Sequence, residues 1–295
     1  MSRANVGRLA LLALLWGSSF LWIKLALRGF SPVQLVFLRL LLGFAVLAPI
    51  VLLRRLPMPR GLAIWGHLFV AALIANAVPY VLFGIGEQTV DSNVAGVLNA
   101  TTPLWTVVVA YLAGTDRAVT AMRAAGIALG FLGTVLIFSP WETAGEIASP
   151  GGLACLGAAA CYGVSYVYMG RFLAGRGIAP LMLSAGQLGA ATVLLSLALP
   201  FFGSQTITWR ADAVVSVAIL GALGTGMAYV LNYRLIADEG PTAASVVTYL
   251  LPVVAIVLGS VFLSETLTVA MVGGTVLVLL GVLLTQRGKQ RAHHG

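Results

Sequence analysis

Tyr80-Val81-Leu82 with Pro103, and Tyr229-Val230-Leu231 with Pro252, are one pattern written twice: each proline follows its tyrosine by 23 residues, and the copies stand 149 residues apart. Three further pairs keep nearly the same offset. Trp16-Gly17-Ser18-Ser19-Phe20 is answered by Tyr162-Gly163-Val164-Ser165-Tyr166, Ser31-Pro32 by Ala179-Pro180, and Thr115-Asp116 by Ser264-Glu265. A single short match carries little weight, but several in register mark an internal repeat. The chain therefore divides into two copies, 1–143 and 144–295, the second ending in a short basic tail.

Of the 295 residues, 60% are hydrophobic and 9% charged, and the mean hydropathy is +1.00. Water-soluble domains do not have this balance. Apolar stretches of about 17–25 residues, long enough at ~1.5 Å per residue to cross a ~30 Å hydrocarbon core, recur along the chain. They fall at 9–28, 32–53, 62–85, 93–113, 121–140, 151–170, 179–201, 213–236, 242–263 and 269–286, which makes ten spans. None alternates apolar with polar residues, as a lipid-facing barrel strand would. The first is too long for a cleaved signal, and no small-residue cleavage site with a soluble domain follows it. The expected fold is an all-α polytopic membrane protein of ten transmembrane helices.

With the N-terminus inside, thirteen Lys and Arg fall on the cytoplasmic side and only Arg28 and Arg210 on the other, while Glu87, Asp91, Glu142, Glu146, Asp212 and Glu265 show the reverse bias. The positive-inside rule then places both termini in the cytoplasm. The net charge of +8 is a consequence of topology and does not call for nucleic acid. Five spans per copy is an odd number, so the second copy enters the membrane from the opposite side. Such inverted repeats around a central cavity are the architecture of alternating access. Duplicated membrane enzymes and channels are the alternatives that this pattern leaves open.

Pro103 and Pro252 lie near the middle of spans four and nine, where each removes a backbone donor and releases the carbonyl four residues earlier, at Asn99 and Thr248. Matched helix breaks in two repeats point to a substrate site; kinks satisfied by neighbouring Ser or Thr are the simpler alternative. Polar and aromatic side chains at membrane depth are costly against lipid and should face inward. On that ground Trp16, Phe20, Asn76, Tyr80, Asn99, Trp105, Tyr162, Tyr166, Tyr229, Asn232 and Tyr233 are candidate wall residues, together with Gln187, the repeat counterpart of Arg39. An aromatic and amide wall suits a small neutral or zwitterionic solute with an apolar part. Two basic residues lie more than three residues inside a span. Lys24 is close enough to the end of span one to snorkel to the interface. Arg39 is deeper; it either binds carbonyls and fixes the first repeat, or offers a positive field to a substrate carboxylate.

The motifs Trp16-Gly17-Ser18-Ser19-Phe20, Phe37-Leu38-Arg39, Pro103 and Ser264-Glu265-Thr266-Leu267, in this order over nearly the whole chain, resemble the drug/metabolite transporter superfamily, in particular its ten-helix members built from two EamA domains. Arg39 matches an arginine that recurs in their second helix. The resemblance implies a basket in which helices one to four and six to nine line a cavity, with five and ten outside. It also implies export of amino acids, drugs or other small metabolites. Among these families the chain is most similar to bacterial exporters of aromatic and other neutral amino acids, and hence to multi-pass proteins of the inner membrane. Multidrug export, or a channel or lipid scramblase, are the alternative functions.

Absences narrow the reading further. No Asp or Glu lies inside a span, which points to movement down the solute's own gradient, or to weak proton coupling through a loop acid. Asp116 and Glu265 are expected to cap helices five and ten. No phosphate loop, nucleophile elbow or paired histidines occur, so neither an ATP motor nor an enzyme is expected, and no metal or cofactor is called for. Gly126, Gly130 and Gly133 on helix five, and Gly273, Gly274 and Gly281 on helix ten, form small-residue stripes suited to packing against their own repeat or a second protomer. Monomer and homodimer both remain open, and the expected partners are the small solute and membrane lipid.

Overall fold

In the computed structural model, which describes residues 3–90, 92–115, 120–138, 141, 148–262 and 268–292, every regular element is helical. The first repeat runs through α1 (Arg3–Gly17), α2 (Ser19–Ala26), α3 (Pro32–Leu53), α4 (Leu62–Ala72), a π-helical turn π1 (Leu73–Ala77), α5 (Val78–Gly86), α6 (Ser92–Asn99), α7 (Thr102–Leu112) and α8 (Ala121–Phe138). The second runs through α9 (Pro150–Phe172), α10 (Pro180–Phe202), α11 (Ala211–Gly221), π2 (Ala222–Met227), α12 (Ala228–Glu239), α13 (Pro241–Ser245), α14 (Val247–Phe262) and α15 (Val269–Ala292). Among the described residues seven helical runs are long and apolar enough to cross a membrane, and three shorter apolar ones, Ala121–Ile137, Pro241–Val254 and Val269–Thr285, fall on the remaining expected spans. Asp91, Asp116, Glu142, Glu146 and Glu265 lie outside the described residues.

Local chemistry sets the helix ends and breaks. Ser31 caps α3 through a reciprocal box with Gln34, and Ser149 caps α9 by accepting from the backbone N–H of Gly152 at 3.1 Å; a proline follows each cap. The first span breaks at Ser18, where Ser18 and Ser19 both turn their hydroxyls onto the carbonyl of Leu15, a side-chain competition that bends helices. In the fourth span the break falls just before Pro103, between α6 and α7; in the ninth it falls at Val246, six residues before Pro252, which lies inside α14. Two interruptions not expected from the sequence are π1 and π2, which begin at Leu73 and Ala222, 149 residues apart and so at equivalent points of the two repeats.

The repeats do not pack as separate bodies. α1 lies against α14, and its inverted counterpart, α9 against α7, repeats that contact from the other half. In the same way α2 with α11 is answered by α9 with α5, and α3 with π2 by α10 with π1 and α4; α3 and α10 cross as a matched pair. The main core cluster is thus drawn from both repeats, as is a smaller one around Phe83, Val94 and Cys155. Outside it, α8 and α15 form the most extensive helix pair. A Cβ on Gly133 would stand 2.6 Å from the carbonyl of Gly274, and one on Gly274 would stand 2.6 Å from that of Gly133. The glycine stripes therefore face each other across the repeats. The expectation of packing within a repeat or onto a second protomer is corrected, because only two facing glycines allow this backbone approach.

Candidate functional site

Prolines and π turns liberate backbone acceptors at the centre of the molecule. Pro79, just after π1, has no N–H for the carbonyl of Ala75, and the Tyr229 hydroxyl from the second repeat donates to that oxygen at 2.7 Å. At the equivalent point of π2, the carbonyl of Gly224 accepts from Trp16 Nε1 of the first repeat at 3.1 Å. Trp16 and Tyr229 meet edge to face with ring centres 6.2 Å apart. Each repeat thus presents an aromatic donor to the other's loosened helix.

The same Trp16 and Tyr229 line a cavity of about 80 Å³, enough for several waters at ~10–15 Å³ each. Trp16, Arg39, Tyr80, Asn99, Tyr162, Tyr166, Tyr229 and Asn232 line it as the sequence leads one to expect, and Thr248, whose carbonyl Pro252 releases, joins them. The hydroxyl of Tyr166 and the Oδ1 atoms of Asn99 and Asn232 are buried without a hydrogen-bond partner, leaving polar capacity in the wall. Tyr162 stacks on Phe83 at 5.9 Å and meets Tyr80 edge to face at 6.4 Å, so the cavity joins an aromatic side to an amide side.

Arg39 is 5% exposed. Its Nε donates to Thr225 Oγ1 of π2 at 2.7 Å, and its guanidinium lies 3.9 Å over the Tyr80 ring. It therefore ties the first repeat to the second through a side-chain hydroxyl, rather than to carbonyls of its own repeat, and still faces the cavity. Asn76, Gln187 and Tyr233 form a separate buried network: Gln187 donates to Asn76 at 2.6 Å and accepts from the Tyr233 hydroxyl. They brace the wall from behind. Trp105 stands outside the cavity, 37% exposed, with Nε1 on Thr101 Oγ1 at 3.2 Å. Gly163 of α9 closes onto this part of α7, and the indole turns outward. Pro103 and Pro252 are buried in their helices and touch no part of the cavity directly, Lys24 is exposed, and Phe20 lies on α2 with its side chain outside the described residues.

Sequence reasoning missed Ser19, Ser165, Phe83 and, above all, Glu87. It placed Glu87 in an external loop; the structure buries it to 5% exposure in the cavity wall. Gly86 and Gly151 are the reason. A Cβ on Gly86 would lie 2.9 Å from the carbonyl of Gly151, so α5 ends pressed against the first turn of α9 and the next residue is enclosed. Both carboxylate oxygens lack a hydrogen-bond partner. Burial pushes its pKa up to about 8 against the opposing pull of Lys24 and Arg39. The paired glycines were visible in the sequence, but nothing there shows which helix they meet.

At the face where α1 begins and α15 ends, the repeats are joined by charged and amide groups. Asn5 donates to Glu239 at 2.8 Å in a buried contact, and Arg8 pairs with Asp238 at 2.8 Å. At the opposite face Gln34 donates to the carbonyls of Gly203 and Gln205, at 2.8 and 2.6 Å.

Interlocked inverted repeats enclosing an aromatic and polar cavity define a polytopic membrane transporter. The chain matches the EamA-like transporter family twice, over residues 8–139 and 149–287, and belongs to it, within the drug/metabolite transporter superfamily. An uncharacterized transporter of Archaeoglobus fulgidus is 26% identical over 95% of this chain and 97% of its own. The uncharacterized transporter YdfC of Bacillus subtilis is 26% identical over 92% and 87%, and the uncharacterized inner membrane transporter YedA of Escherichia coli K12 is 27% identical over 96% and 90%. A solved crystal structure shares the fold, with a TM-score of 0.78 over 99% of both chains at 20% identity.

Proposed function

We propose that this transporter exports small metabolites, foremost neutral and aromatic amino acids, across a bacterial inner membrane by alternating access, with both termini cytoplasmic. The observation that carries the reading is the wall of the cavity. Four aromatic rings, Trp16, Tyr80, Tyr162 and Tyr229, offer ring contacts to an apolar side chain, while Arg39, Asn99 and Asn232 offer charge and hydrogen bonds to a polar head. The division into repeats at 1–143 and 144–295 accords with the double family match.

In this reading the contacts of Asn5 and Arg8 with α12 hold the cytoplasmic face and those of Gln34 with Gly203 and Gln205 hold the opposite face; both sets are formed together here, and transport requires each to open in turn as the repeats rock. The test is counterflow in liposomes holding the purified protein, preloaded with phenylalanine, leucine or a cationic drug. Saturable phenylalanine and leucine exchange is expected, and Asn232→Leu should raise the half-saturating concentration about tenfold, the scale of one lost charge-assisted hydrogen bond. Exchange of the drug alone, or linear flux without saturation, would replace this reading with multidrug export or a channel.

A further inference from the structure

Among the described residues the wall of the cavity contains one acidic group, and the transport reading does not use it. Glu87 is buried at the end of α5, aims both carboxylate oxygens at no partner, and lines the same space as Arg39. Lys24 of α2 and Arg39 of α3 bear on it with positive charge, Cys155 of α9 lies within electrostatic reach, and Tyr80, Tyr162 and Tyr166 share its cavity.

We propose that Glu87 is a proton-binding site at which a proton and the ammonium group of the solute exclude one another, so that export is exchange of one solute for one proton. This rests on the transport reading above and adds the source of energy to it. A buried carboxylate without hydrogen bonds is unfavourable when ionised unless a cation enters beside it. Two cations can relieve it: a proton, which converts it to the neutral acid, or a solute ammonium, which pairs with it while Arg39 faces the solute's carboxylate. In the cycle, a proton from the external water adds to the carboxylate, the repeats rock, and the solute's ammonium displaces that proton into the cytoplasm. The repeats then return with the solute. No bond other than O–H is made or broken, and one net positive charge moves inward per zwitterion exported.

Burial places the titration near pH 8, so the acid is neutral below and charged above. Strict competition then requires phenylalanine affinity to fall about tenfold for each unit below pH 8. The experiment measures phenylalanine binding to the purified protein from pH 6.5 to 9, and proton release on phenylalanine addition in weakly buffered detergent. Wild type should show the slope and release close to one proton per chain at about pH 7; phenethylamine should release a proton and 3-phenylpropionate should not. Glu87→Gln, which lacks the carboxylate that pairs with the ammonium, should bind about tenfold more weakly than wild type at pH 9 and without slope or release, and Glu87→Asp should keep both with a shifted midpoint. In liposomes, a gradient acid on the external side should drive phenylalanine accumulation by wild type and not by Glu87→Gln. A flat wild-type profile, binding without proton release, or a Glu87→Gln slope like that of wild type would overturn the proposal. If wild type exchanges none of the solutes at any pH, the transport reading itself fails, which is a separate outcome.

Discussion

Arg39 shows how one side chain can serve scaffold and site together. Its Nε–H meets Thr225 of the other repeat while its planar face lies on Tyr80. Lys would keep the charge but has neither the Nε donor nor a plane to stack. Arg39→Lys is therefore expected to lower stability by about 1–3 kcal/mol, the cost of a buried hydrogen bond to a charged group, and to slow counterflow about tenfold through the displaced positive field. Thermal unfolding and counterflow read the two effects; wild-type values for both would contradict the assignment. The depth of Arg39 was legible from its position in an apolar stretch, but its partner was not, because Thr225 lies in the second repeat and hydropathy carries no information on distant pairing. Glu87 is the sharper case. It follows a span and reads as a loop acid, and only the contact of Gly86 with α9 encloses it.

At the scale of elements, the sequence showed where helices are weak better than how they yield. Pro103 lies next to a true break, whereas Pro252 sits inside α14, six residues past the break at Val246, and Pro79 was an unnoticed proline whose missing donor leaves the carbonyl of Ala75 to Tyr229. π turns at matched points are frequent in functional regions, and here they give each repeat a loosened segment held by the other's aromatic residue. The α8 and α15 pair makes the opposite use of small residues. Gly133→Val should force these helices apart and destabilise the protein by about 1–3 kcal/mol, as overpacking does. Gly273→Val is the control, since a Cβ there meets nothing closer than Leu136 at 3.8 Å. Unfolding temperatures of the two variants separate the cases; equal values would show that the glycine contact is not what holds the pair.

For the whole molecule, duplication, odd span number and cavity belong to one account. Ten apolar stretches and an offset of 149 residues were enough to infer inverted repeats. That the repeats exchange partners throughout, so that every wall of the cavity mixes both halves, follows only from their packing in space. Such a body can expose its centre to either face only if the contacts at the two faces open in turn. Asn5 and Glu239, 2.8 Å apart between α1 and α12, are the buried contact at the terminal face. The most direct measurement is phenylalanine counterflow by an Asn5→Cys, Glu239→Cys chain, with Cys155 and Cys161 replaced by Ala, before and after a short thiol cross-linker and again after its reductive release. Alternating access predicts that cross-linking stops exchange and reduction restores it; exchange that continues at full rate through the cross-linked protein would contradict it.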